Sequence, residues 1–196
     1  MKVNLLLFDG FETLDAFGPV ELFGQLDGYE LNYYSRTGGN VVSAHNAVVS
    51  TDSIADAPKD SILVIPGGRI TRSLVNDEAF IHMLEEAANQ SRYCLCVCTG
   101  SALLAKTGLL DGRKATSNKK AFSWVTSLNS KVQWIRKARW VTDGKYYTSS
   151  GVSAGMDMTL GFIRNCFSEE KALTIAGHIE YRWNSDNTED DFAGEE

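Results

Sequence analysis

The chain has 196 residues, enough for one well-buried core and too few for two comfortable domains, so we expect a single domain over residues 1–196. Its hydrophobic content of 43% and charged content of 22% are ordinary for a globular protein, and no apolar run approaches the length of a membrane span. A net charge of −6 argues against a nucleic-acid partner, because phosphate contacts need a basic patch.

Apolar strands alternate with amphipathic helices along the chain. The predicted strands are 3–8, 29–35, 41–43, 47–50, 61–65, 93–97, 114–117, 140–142 and 145–149. The predicted helices are 14–26, 76–88, 100–108, 121–126, 156–167 and 172–183. Asp143-Gly144 favours a tight antiparallel hairpin between the last two strands. The alternation predicts an α/β fold with a largely parallel sheet covered by helices on both faces.

Two charged segments are interpreted as surface features. Residues 184–196 are acidic, and we expect a loosely attached C-terminal tail, with Phe192 as its candidate docking side chain. A basic cluster formed by Lys131, Arg136, Lys137 and Arg139 is interpreted as a solvated face. The four cysteines cannot form a spread disulfide framework, since three lie in one strand, and this predicts a reducing, cytoplasmic location.

Cys98 lies where a buried strand becomes a helix. At such an elbow the side chain stands clear of the sheet, the helix N-terminus favours a thiolate, and the N–H groups of Thr99 and Gly100 can hold a developing oxyanion. Cys94 and Cys96 lie within the strand and are interpreted as packing residues. A metal site at these three cysteines is disfavoured, because no histidine lies near them in sequence and the spacing fits no common zinc pattern.

The loops after parallel strands meet in one crevice at the carboxyl edge of the sheet. Asp15, in the loop after the first strand, is the acid that we expect to reach Cys98 and move protons, and capping of the first helix is its alternative role. Gly68 and Thr99 are the predicted backbone donors. The predicted substrate pocket residues are Gly67, Gly100 and Asn118.

Two further motifs offer alternatives to this site. Residues 151–155 match the G-x-S-x-G nucleophile elbow, but no later sheet loops remain for an Asp and a His, so helix capping by Ser153 is preferred. His178-Ile179-Glu180 is similar to the His-x-Glu of class I glutamine amidotransferases. Residues two apart in a helix face different ways, so a surface or internally satisfied histidine is preferred for His178.

Five motifs in order resemble the ThiJ/PfpI superfamily, which is class I glutamine amidotransferase-like: residues 14–19, 65–68, the Cys98 elbow, 108–116 and 151–157. Leu-Asp-x-x-Gly-Pro and Cys-Thr-Gly-Ser look most like the isonitrile hydratase branch. The resemblance implies a flavodoxin-like three-layer sandwich with one antiparallel hairpin, a homodimer, a small-molecule substrate, and no metal or organic cofactor. It also implies Cys98 as nucleophile and Asp15 as general acid and base.

The chain departs from the family pattern at two places. The protease and amidase branch has a histidine directly after its cysteine, where this chain has Thr99, and hydratase-type relatives often have Thr-His-Trp where it has Ser117-Asn118-Lys119. The first departure weakens the case for peptide hydrolysis, and the second allows a different pocket floor and a substrate other than an isonitrile. The alternatives are a protease-like or amidase-like hydrolase and a redox sensor that works through oxidation of Cys98. No DNA-binding helix-turn-helix follows residue 196, which disfavours a transcription regulator.

Overall fold

The computed structural model describes residues 1–194. Within that range the strands are β1 (Lys2–Leu6), β2 (Glu30–Ser35), β3 (Gly39–Val42), β4 (Val48–Ser53), β5 (Ile62–Ile65), β6 (Tyr93–Cys96), β7 (Lys114–Ala115), β8 (Gln133–Trp134), β9 (Trp140–Asp143) and β10 (Tyr146–Ser149). The helices are α1 (Thr13–Gly24), α2 (Thr71–Leu74), α3 (Glu78–Gln90), α4 (Gly100–Lys106), α5 (Phe122–Leu128), α6 (Ala154–Cys166) and α7 (Glu169–His178).

Eight strands form the central sheet, in the order β3-β4-β2-β1-β5-β6-β10-β9. The pairs from β4 to β10 are parallel, and Leu5 in β1 lies opposite Tyr33 in β2 and Val64 in β5. The predicted β9–β10 hairpin is confirmed at one edge. At the other edge β3 and β4 form a second antiparallel pair, which the sequence indicated only as short extended pieces. β7 and β8 form a separate two-stranded ladder.

Helices cover both faces of this sheet. Helices α1, α6 and α7 pack together in one layer, and α2 to α5 pack together in the other. The crossover from β1 to β2 runs in one direction along the sheet, and the crossover from β5 to β6 runs in the other. Because both crossovers are right-handed, their helices lie on opposite faces. All four residues of β5 are buried, which explains its continuous apolar run. The flavodoxin-like sandwich is confirmed, and every parallel strand ends at the same edge of the sheet.

The C-terminal segment is packed against the domain, so the prediction of a loose tail is wrong for residues 184–194. The buried Asp190 carboxylate lies 3.6 Å from Arg139 and 4.0 Å from Lys119. Phe192 does not dock, since its side chain is 72% exposed. Lys119 and Arg139 therefore hold in place a segment whose acidic composition had predicted only exposure to solvent. Residues 195–196 lie outside the described part of the chain.

Arg139 is buried, which corrects its assignment to a solvated basic face. Its guanidinium donates to Asp157 Oδ2 at 2.9 Å and to Ser153 Oγ at 3.3 Å. Asp157 also accepts from the Tyr181 hydroxyl at 2.9 Å. A buried cation needs such partners, because desolvation without them is strongly unfavourable. In residues 1–194 no helix combines the length and apolarity needed to cross a bilayer.

Candidate active site

Cys98 occupies the turn between β6 and α4 with φ +56°, a left-handed conformation that is uncommon for a residue with a side chain. Its N–H donates to Ser150 O at 3.1 Å, which ties the turn to the end of β10. The side chain is 6% exposed and forms part of the wall of a cavity of about 370 Å³. The strand-to-helix elbow predicted at this position is therefore present. Strained backbone of this kind is held by its surroundings and is concentrated at functional sites.

Asp15 is fully buried in the first turn of α1 and lies beside the Cys98 thiol. Its Oδ2 accepts the Gly67 N–H at 2.9 Å. Its Oδ1 has no partner of ordinary hydrogen-bond geometry within residues 1–194. Neither Asp15 oxygen accepts an N–H of α1, so Asp15 does not have the capping role that was its alternative. The carboxyl group interacts with the Cys98 side chain.

The environment of Asp15 suits proton transfer near neutral pH. Burial raises the pKa of Asp15 from 3.8 to about 7, against the lowering effect of the Gly67 N–H bond. The nearby Glu12 charge raises this pKa further, and the hydrogen bond with Cys98 lowers it. A carboxyl group with a pKa near neutrality both donates and accepts protons at an appreciable rate.

The surroundings of the Cys98 sulfur disfavour the thiolate that the sequence analysis expected at the start of the helix. Burial, followed by the Asp15 charge, raises the pKa of Cys98 to about 12. Hydrogen bonds from the backbone of Val152 and Thr99 and from the Asn118 side chain oppose this rise in pKa. Helix α4 is only seven residues long, and its dipole does not outweigh desolvation. Asp15 is the neighbouring group that lies within reach of the thiol proton.

Asn118 contacts the sulfur directly. Its Nδ2 lies 3.2 Å from Cys98 Sγ, while its Oδ1 accepts the Ala121 N–H at 3.1 Å. The bond to Ala121 fixes the orientation of the amide, so that the NH2 group faces the sulfur. A Cβ at Gly151 would lie 2.5 Å from Asn118 Nδ2, so glycine at that position allows the close approach.

Sequence reasoning missed Val152, whose backbone interacts with the Cys98 sulfur. Val152 has φ +41°, an outlier for a β-branched residue. The sequence signal for this turn was the G-x-S-x-G motif at residues 151–155, for which the sequence analysis preferred helix capping over a nucleophile elbow. Ser153 makes no capping bond, so the preference for helix capping there is wrong. The motif instead provides a tight turn that brings a backbone donor to Cys98.

The predicted glycines and Thr99 are close together, but their roles differ from the prediction. The Gly68 N–H donates to Thr99 Oγ1 at 3.1 Å, so this predicted oxyanion donor is already occupied. Gly67 and Gly100 are buried behind the cavity instead of lining it. A Cβ at Gly100 would lie 2.3 Å from Ile65 O, so Gly100 lets α4 pack against the end of β5.

The structure therefore brings together Cys98, Asp15, Thr99 and Asn118. His178 lies exposed at the last residue of α7, and it is absent from the groups that interact with Cys98, so no Cys-His-Glu triad forms within the described residues. In residues 1–194 no cluster of three or more His, Cys, Asp or Glu side chains is arranged to hold a metal ion.

The outer wall of the cavity is charged and partly aromatic. Its side chains include Glu12, Arg69, Arg72, Lys120 and Trp124. The Arg72 guanidinium lies 4.2 Å from the centre of the Trp124 ring, a cation–π geometry. The cavity can thus hold a small molecule against Cys98 with polar and aromatic groups at its mouth.

Comparisons with known proteins agree with this architecture. The model of the DJ-1/PfpI family matches residues 1–165. An isonitrile hydratase of Pseudomonas putida is 28% identical over 182 residues, covering 92% of this chain and 78% of that protein. A deglycase of Thermococcus kodakarensis is 29% identical over 152 residues, covering 76% of this chain and 89% of that protein.

A solved structure supports the same relationship. The crystal structure of a ThiJ/PfpI family protein from Pseudomonas syringae has a TM-score of 0.79 and 26% sequence identity, covering 92% of this chain and 74% of that one. The sequence match includes the elbow at Cys98 and the first turn of α1, which carries Asp15. This chain belongs to the DJ-1/PfpI family, as its motifs predicted.

Proposed function

We propose that this protein is a cysteine-dependent hydratase of small molecules, of the isonitrile hydratase type, which adds water to an isonitrile and yields an N-substituted formamide. The observation that carries the proposal is the contact between a buried carboxyl group whose pKa is about 7 and a buried thiol at a cavity wall. The similarity to the hydratase of Pseudomonas putida supports the choice of substrate class.

The first half of the reaction uses the two groups in contact. The Cys98 proton passes to the Asp15 carboxylate, which leaves a thiolate beside a neutral acid without changing the net charge of the site. The thiolate forms a C–S bond with the terminal isonitrile carbon, and Asp15 returns the proton to the same carbon, which gives a thioformimidate. Donors from Val152, Thr99 and Asn118 stabilise the sulfur while it carries negative charge.

The second half consumes water. The Asp15 carboxylate takes a proton from water as the hydroxyl adds to the carbon, and this proton passes to the imine nitrogen. The C–S bond then breaks with its electron pair on sulfur, Cys98 regains a proton from the hydroxyl through Asp15, and the formamide leaves. One water is consumed for each isonitrile, and both side chains return to their starting state.

The occupied Gly68 N–H favours this chemistry over amide or peptide hydrolysis. Amide hydrolysis develops an oxyanion that needs free backbone donors, whereas addition to an isonitrile carbon places no charge on oxygen in its first step. Gly68 donates instead to Thr99 Oγ1. A redox-sensing role is disfavoured, because oxidation follows thiolate character and exposure, and Cys98 is 6% exposed with a raised pKa.

The test is formamide formation from an alkyl isonitrile, followed by proton NMR. We expect turnover by the wild-type protein, none above background for Cys98→Ala, and a loss of about 10²-fold or more for Asp15→Asn. Cys166→Ala, at an exposed cysteine on the end of α6, is the matched control and retains full activity. No turnover by the wild-type protein, or full turnover by Cys98→Ala, would overturn the proposal.

We also propose that the protein acts as a homodimer in a reducing compartment. The family resemblance supports the dimer, and four free cysteines are compatible with reducing conditions. Sedimentation equilibrium at micromolar concentration tests the oligomeric state, and a monomer at all concentrations would contradict it.

A further inference from the structure

We propose that the substrate carries a carboxylate, bound by a cationic rim that Arg69, Arg72 and Lys120 form at the mouth of the Cys98 cavity. This inference rests on the proposed function only in placing the substrate at Cys98, and it does not depend on the bond that is hydrated. It concerns the part of the substrate that does not react.

The charge distribution supports an anionic ligand. The chain carries a net charge of −6, yet three of the four charged side chains lining this cavity are cationic. Within residues 1–194 none of the three forms an ion pair, although seven other lysine and arginine side chains do. The fourth charged residue, Glu12, lies 3.5 Å from His45 Nδ1. The rim therefore has cationic charge that the protein itself does not neutralise.

The rim is built on both sides of the cavity. Arg69 follows Gly68, where φ is +136° and an added Cβ would lie 2.6 Å from Gly10 O, so the loop conformation that presents Arg69 requires glycine. Arg72 lies on α2, and Lys120 lies two residues after Asn118 on the opposite loop. Residues from both sides line the same cavity as Cys98.

Arg72 is held in a geometry suited to a carboxylate. Its guanidinium lies 4.2 Å from the centre of the Trp124 ring. Stacking on an aromatic face leaves the N–H fork of arginine free at its edge, and this fork matches the two oxygens of a carboxylate. A cavity of about 370 Å³ limits the ligand to a small molecule. Cations around a cleft in an acidic protein also concentrate anions there.

Alkylation of Cys98 tests the rim without using an isonitrile. Iodoacetate and iodoacetamide transfer nearly the same group to sulfur with loss of iodide, but only iodoacetate carries a carboxylate. The rates at Cys98 and at the exposed Cys166 are measured in the same sample by peptide mass spectrometry, and Cys166 is the internal reference. We expect the iodoacetate-to-iodoacetamide rate ratio to be higher at Cys98 than at Cys166, and to fall with added salt.

Charge-removing variants identify the rim as the cause. We expect Arg72→Gln and Lys120→Gln each to lower the ratio at Cys98 by about twofold to fourfold, the usual strength of an exposed charge pair. Lys59→Gln is the matched control, because Lys59 is exposed before β5 at the opposite edge of the sheet and leaves the ratio unchanged. Equal ratios at the two cysteines, or no change in the rim variants, would overturn the proposal.

The two proposals fail separately. If the alkylation ratio behaves as expected and no isonitrile is hydrated, the anionic subsite stands and the proposed reaction is wrong. If isonitriles are hydrated and the ratio is insensitive to the rim, the reaction stands and the carboxylate subsite is wrong.

Discussion

Replacement of Asp15 by asparagine tests the electrostatics of the site through the stability of the fold. The pKa of Asp15 in the folded protein is about 7, against 3.8 for the free side chain. A carboxyl group whose folded-state pKa is raised destabilises the fold when it ionises. This penalty is absent below pH 3.8, grows as the pH rises, and is complete above about pH 7.

The expected size of the effect follows from the same pKa values. At about 1.36 kcal/mol per unit of pKa, the penalty at pH 8 is about 4 kcal/mol. Asp15→Asn removes the ionisation, keeps the shape of the side chain, and still offers an oxygen to the Gly67 N–H. We therefore expect the variant to be more stable than wild type at pH 8 by up to about 4 kcal/mol, or roughly 10 °C in Tm.

Urea denaturation at pH 4 and pH 8 measures this difference. The variant and wild type should have nearly equal free energies of unfolding at pH 4, and the gain should appear between the two pH values. Asp27→Asn, at an exposed carboxylate, is the control and shows no such pH-dependent gain. A variant no more stable than wild type at pH 8 would refute the assignment of a buried, ionisable Asp15. If the Asp15→Asn variant is more stable but no longer hydrates isonitriles, then the wild-type protein keeps Asp15 for its function although the carboxyl group lowers stability.

Three further predictions concern the surroundings of the site. Glu12→Gln removes a charge that raises the pKa of Asp15, so the acid limb of the pH–rate profile for formamide formation, where Asp15 becomes ionised, should move to lower pH, and an unmoved profile would contradict this. Asp190→Asn leaves the buried Lys119 without its counter-charge and should lower the free energy of unfolding by about 3 kcal/mol in urea, whereas a loss below about 0.5 kcal/mol would show that the tail contact is unimportant. Gly68→Ala places a Cβ 2.6 Å from a carbonyl oxygen of the loop after β1, at φ +136°, and should lower stability by about 2 kcal/mol or more in thermal denaturation, with wild-type Tm as the contradicting result.

The parts of the fold that were predicted correctly are those encoded by local patterns. Continuous apolar runs such as 62–65 predict buried parallel strands, and Asp143-Gly144 predicts the β9–β10 hairpin. The acidic tail was misjudged, because composition indicates solvation while its partners lie far away in sequence. Lys119 and Arg139 precede Asp190 by many residues, and only the fold shows that the three side chains meet.

It was easier to predict which residues form the site than to predict their pKa values. Cys98 and Asp15 each follow a strand, and the topology of a parallel sheet brings such loops together. The protonation of the thiol depends on burial and on the distance to a carboxyl group, which residue spacing does not determine. The occupied Gly68 N–H and the backbone donor at Val152 likewise depend on exact loop geometry.

The link between Asp190 and Lys119 has a consequence for biosynthesis. Lys119 is the neighbour of Asn118, the amide that faces the sulfur, and it receives its counter-charge from a residue translated much later. While residue 190 is still inside the ribosome, the loop carrying Asn118 lacks one of its anchors. We expect a nascent chain of this protein to form its sheet first and to complete the surroundings of Cys98 only after the rest of the domain has folded.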